Sequence, residues 1–113
     1  MVHNYLDVNS KNIVFGDSGG ATDDRLTFGA SNDLQLFHAA AGISTIMHYH
    51  SGGEPLHITS NGDVKFKVNA NSSGTSGEDG LIIKSNGAVE LYHDNRLRAY
   101  TVSNAFYVEQ AEL

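Results

Sequence analysis

"LHITSNGDVKF" (residues 56–66) and "LIIKSNGAVEL" (residues 81–91) are one phrase written twice, at a constant offset of 25 residues (81 − 56 = 25; 85 − 60 = 25). Each copy sets alternating apolar residues on both sides of Ser-Asn-Gly, a pattern of strand, turn and strand. The register can be worked out from the apolar positions. A two-residue loop at Asn61-Gly62 would set Ile58 against Lys65 and Leu56 against Lys67, mixing charge with the apolar face. A three-residue loop, Ser60-Asn61-Gly62 with a left-handed glycine, pairs Ile58 with Val64 and Leu56 with Phe66 instead. The second copy then pairs Ile83 with Val89 and Leu81 with Leu91. Because register follows the buried face, the three-residue loop with its bulge is preferred. The same residues also suit a corner of a β-solenoid, where strands stack instead of folding back.

A looser third copy, "LTFGASNDLQL" (26–36), keeps the order apolar, turn, apolar with altered spacing. Its end, "DLQLFH" (33–38), also matches "AVELYH" (88–93) at an offset of 55. Ile13-Val14-Phe15-Gly16 is a degenerate fourth. Repetition of this kind indicates one supersecondary unit stacked on copies of itself.

The rest of the chain reads the same way. Strands are expected near 12–15, 25–28, 33–38, 44–50, 55–59, 63–69, 80–84, 88–92, 97–101 and 105–109, separated by Gly, Asn, Asp and Ser. Ala39-Ala40-Ala41 is the best helix-forming run, and Gly42 ends it within a turn. Residues 69–80 are polar and glycine-rich, as a mobile surface loop would be. The expected fold is all-β: short antiparallel strands in a solenoid- or prism-like β-repeat, one domain over 1–113. With 113 residues, no Cys and 40% hydrophobic residues, its core would be thin and completed by oligomerisation or metal.

The net charge of −6 and the scattered Lys and Arg argue against a nucleic-acid partner. No apolar run approaches a membrane span. The start, Met1-Val2-His3-Asn4-Tyr5, has neither the basic nor the apolar part of a signal peptide, so synthesis in a cytoplasm without processing is expected.

"RLTFGASNDLQLFH" (25–38) and "GLIIKSNGAVELYHDNRLRAYTVSNAFYV" (80–108) resemble the repetitive tail-fibre and virion structural proteins of tailed phages, especially aquatic and cyanobacterial ones. "GAVELYHDN" (87–95) is the most specific part. The alanine run 39–41 departs from the Asp-Gly-Ser-Asn turn usual there. The resemblance implies a β-rich, trimeric and intertwined shaft segment, located in a virion. A subunit of an extracellular filament is the near alternative, and in both cases the partner is another copy of the chain.

His48-Tyr49-His50 is the one His arrangement with geometric meaning, because residues two apart on a strand share a face. Around a three-fold axis, His48 and His50 from three chains would offer six nitrogens, enough for octahedral Fe²⁺ or a similar cation. Trimeric fibres of the resembled kind use such a device. The plainer reading is two polar residues on a solvated strand. His38, His57 and His93 read as ordinary surface or interface residues, with His57 pointing away from the core face.

Asp23-Asp24 and Glu78-Asp79 read as solvated loop carboxylates, with no EF-hand pattern around them. No nucleophile-elbow, Walker or zinc-protease phrase occurs, so no enzyme is expected. Phe37, Tyr49, Phe66, Tyr92, Tyr100, Phe106 and Tyr107 could stack on a cell-surface glycan, helped by loop 69–80. Their alternation along strands favours packing.

Overall fold

The computed structural model describes residues 8–20 and 23–110. The reading of Met1-Val2-His3-Asn4-Tyr5 lies outside the described residues. The described part is all-β, with eight strands in two antiparallel sheets and no helix. Within the stretch read as one domain, contacts group into two compact units, one ending at Leu56 and the other beginning at His57.

The first unit holds β1 (Leu26–Phe28), β2 (Leu34–His38) and β3 (Ser44–His48) in the order β1-β2-β3. The loose third copy is therefore a hairpin, with Leu26 opposite Leu36 and Phe28 opposite Leu34. The alanine run makes a turn. Ala39 N–H donates to Ile43 O at 2.8 Å and Gly42 N–H to Ala39 O at 2.8 Å, with Gly42 at φ 89°.

The second unit is a five-stranded meander of β4 (Val64–Val68), β5 (Glu78–Ile83), β6 (Val89–His93), β7 (Arg96–Val102) and β8 (Ala105–Val108). In it the second phrase folds back with the expected register, Leu81 opposite Leu91 and Ile83 opposite Val89. Lys84 N–H donates to Ala88 O at 2.8 Å, Gly87 N–H donates to Lys84 O at 2.8 Å, and Gly87 has φ 91°. These are the bonds of the 39–43 turn again. A positive φ at the last loop position is cheapest for glycine, which occupies it in both hairpins.

Three expectations are corrected. Residues 55–59 form no strand, and Val64 and Phe66 pair with Ile83 and Leu81 instead of Ile58 and Leu56. Gly62 lacks the left-handed φ that reverses the chain at Gly87. Among the five positions at which the phrases differ, Asp63 stands where the second has Ala88. Asp63 Oδ1 accepts the Ser85 N–H at 2.9 Å and Oδ2 meets Lys84 Nζ at 2.9 Å, which ties it to β5 and not to a turn of its own. Secondly, residues 12–15 form no strand, because strand propensity without a pairing partner does not make one. Thirdly, Glu78 and Asp79 belong to β5, so the irregular segment after β4 ends at Gly77. A register shift between Phe66 and Lys67 brings Asp79 opposite Lys67, where Nζ and Oδ1 stand 2.7 Å apart.

Candidate functional site

Residues opposite one another across a ladder share a face. In the second unit, one row runs Phe66, Leu81, Leu91, Ala99, Val108 across all five strands. A parallel row begins Val64, Ile83, Val89. It continues through Thr101, whose Oγ1 accepts the Val89 N–H at 2.9 Å, to Phe106. Almost every side chain in both rows is apolar. The opposite face carries Lys65, Ile82, Glu90, Tyr100 and Tyr107 in line.

Burial is slight on both faces. Among the described residues, only Ile82 and Ala99 are buried hydrophobics, Ile82 on the polar face and Ala99 in the apolar row. On the apolar face Phe66 is 49% exposed, Phe106 58% and Val108 63%. The aliphatic stems and rings of long polar residues suffice to shelter Ile82. Among the described residues, the second unit supplies no second layer of its own over the apolar rows. Their exposed part amounts to on the order of 600 Å² per chain, at the upper end for a monomer's largest patch and near the roughly 800 Å² per partner of a standard interface.

The first unit repeats the arrangement. Leu26, Leu36 and Ile46 form a row whose members are all exposed, next to Phe28, Leu34 and His48. The other face is closed by a polar network. Arg25 donates from Nε to Ser18 Oγ (2.9 Å), from Nη1 to Gln35 Oε1 (2.9 Å) and from Nη2 to Gly20 O (2.7 Å), with its guanidinium 3.7 Å above the Phe37 ring. Gln35 and Ser18 are both buried. Asp23, although exposed, accepts the Gly20 N–H at 2.8 Å and the Gly19 N–H at 3.3 Å. The Gly20 amide outweighs the opposing effect of burial and, with lesser help from Gly19 and the Ser18 hydroxyl, holds its carboxyl below the usual aspartate range. Asp23 is thus a capping carboxylate, a role that its Gly-rich setting did not announce.

His48 ends β3 half-buried, and His50 follows the strand. Both imidazoles turn to one residue: His48 Nε2 lies 2.9 Å from the Glu54 carbonyl oxygen, and His50 Nδ1 pairs with the Glu54 carboxylate. The contacts use one nitrogen of each ring, so His48 Nδ1 and His50 Nε2 lie outside them, and a carboxylate on the far nitrogen is the usual second partner of a metal-binding imidazole. Among the described residues no group of three or more His, Cys, Asp or Glu stands close enough to hold a metal ion. His38 Nδ1 lies 2.9 Å from Ser44 Oγ, across the end of the β2–β3 hairpin.

Tyr100 and Tyr107 stack on each other, with ring centroids 5.3 Å apart and planes 20° apart. One face of each ring is therefore already occupied. Tyr92 Oη donates to Glu90 Oε2 at 2.6 Å; that bond, then burial, pushes its phenol up to about 12. An open hollow of about 510 Å³ is lined by Asn86, Gly87, Ala88, Thr101, Val102 and Ser103, none of them titratable in the physiological range. In comparisons with protein-family models, curated proteins and solved structures, nothing matches this chain.

Proposed function

We propose that this chain is a structural, self-assembling β-repeat subunit that builds a fibre by covering its open apolar sheet faces with other copies of itself. The carrying observation is the apolar row Phe66–Leu81–Leu91–Ala99–Val108, with Phe66, Leu91 and Val108 exposed, and its parallel neighbour. A sheet face so apolar is stable in water only when something dry lies against it. Most simply the assembly is a tail-fibre or appendage segment of a virion, the reading that the phrases at 25–38 and 80–108 support by resemblance. An extracellular filament of the same subunit has the same physical basis.

Negative-stain microscopy of the purified chain tests this reading. Elongated particles or filaments of many copies are expected, and uniform particles of single-chain size would contradict it.

A further inference from the structure

The repeat leaves one strand without its counterpart. In the second phrase, β6 pairs on one side with β5 and on the other with β7. In the first phrase, β4 pairs with β5 alone, and no other described backbone group bonds to its outer edge. The segment that stands to β4 as residues 81–83 of β5 stand to β6 is Leu56-His57-Ile58, and it is unpaired. Leu56 is 43% exposed and Ile58 64%. A free edge and a free strand-forming segment of matching pattern thus coexist in one chain, while the turn that would join them is not made.

Resting on the assembly reading above, we propose that residues 56–59 of one copy add as an antiparallel strand to the outer edge of β4 in a second copy, with Ile58 opposite Val64 and Leu56 opposite Phe66. The backbone of β4 supplies the hydrogen bonds and the alternating side chains set the register, as in other strand additions. In that register Leu56 continues the row of Phe66, Leu81 and Leu91, and Ile58 continues the row of Val64, Ile83 and Val89. The added strand therefore widens the apolar face that assembly has to cover. Each chain offers one such arm and one such edge. The contact is head-to-tail and leaves an unused arm and edge at its ends, so it adds further copies until it closes into a ring or runs on as a filament.

The chain contains no Cys, which makes disulfide trapping clean. The second phrase shows which pair to use. The Val89 N–H turns away from β5 toward Thr101, so Ile83 and Val89 form a non-hydrogen-bonded pair, the close kind that a disulfide can span. Ile58→Cys and Val64→Cys chains, mixed and oxidised, should yield at least ten times more mixed covalent dimer than His57→Cys mixed with Val64→Cys, whose side chains point to opposite faces. A chain carrying both cysteines that closes on itself as a disulfide-bonded monomer would overturn the proposal, as would equal yields from the two mixtures. Particle mass of the unmodified chain, measured in parallel, separates the two ideas: multimers without the specific cross-link sink the arm-and-edge contact alone, and monomers sink assembly as well. If a substitution impairs folding, a peptide of residues 54–60 added to the unmodified chain gives the second readout. It should cap β4 and shorten the assemblies, and unchanged assembly at saturating peptide would overturn the proposal.

Discussion

The Asp63 carboxylate accepts the Ser85 backbone N–H at 2.9 Å, so a residue from the first copy of the repeated phrase holds the turn of the second. Its other oxygen meets Lys84 Nζ at 2.9 Å. Asp63→Ala, which makes the first phrase read like the second at that position, removes both contacts. A lower melting temperature is expected, with a smaller difference at high salt because the pair is solvent-exposed. An unchanged melt at low salt would show that the tie contributes nothing.

Gly87 and Gly42 occupy equivalent left-handed positions, at φ 91° and 89°, with open space where a Cβ would stand. Alanine at either place meets no clash, only backbone strain. Each substitution is expected to cost about 1–2 kcal/mol in denaturant unfolding, while alanine at Gly62, which has no left-handed φ, costs less. Equal costs at Gly62 and Gly87 would mean that the two phrases turn alike after all.

Arg25 binds three oxygens and covers Phe37, closing the polar face of the first sheet. Arg25→Ala leaves the buried Gln35 side-chain oxygen without its donor and should cost roughly 2–3 kcal/mol; Arg25→Lys keeps the charge but loses the fork and should recover less than half. Chemical denaturation of the two variants beside the parent measures both. Full rescue by lysine would show that charge alone matters.

Stability should fall at both ends of the pH scale. The Lys84 and Lys67 ammonium groups hold the Asp63 and Asp79 carboxyls below the ordinary value of 3.8. Their contribution is complete above that value and is lost as pH falls through the lowered ones. Tyr92 is raised from 10.0 to about 12 by donating to Glu90, and Lys84 is raised from 10.5 by Asp63. These contributions are complete below about 10 and are lost as pH rises through the two raised values, about 12 for Tyr92. Thermal melts across pH, with tyrosinate absorbance followed alongside, test this directly. Tyr92→Phe should remove part of the alkaline loss, and an alkaline limb identical in the variant would exclude Tyr92 as its source.

Much of the fold was legible because alternation and left-handed glycines are local signals. The register of Leu81 with Leu91 followed from the apolar positions alone. The fate of the first phrase did not, because it turns on Asp63 reaching Lys84 and Ser85, a contact invisible in a comparison of similar phrases. The turn at 84–88 was legible, but its likeness to 39–43 was not read, although one signal existed: a glycine three residues beyond the turn's first residue in both places. Of the candidate site, the apolar face was readable as a stripe of alternating residues. That the stripe faces outward follows only from the sheets having one layer each, which no strand reveals by itself. The sequence reads His48 and His50 as a same-face pair on one strand, but β3 ends at His48, and their common partner Glu54 lies in a loop that carries no periodic signal.

Particle mass of the native chain as a function of concentration tests self-coverage most directly. Masses of several copies that persist on dilution, and that drop toward one chain when Leu91 or Phe66 is replaced by Lys, are the expected result. A parent chain that stays at a single 12.1 kDa copy at every concentration, and melts cooperatively there, would contradict it.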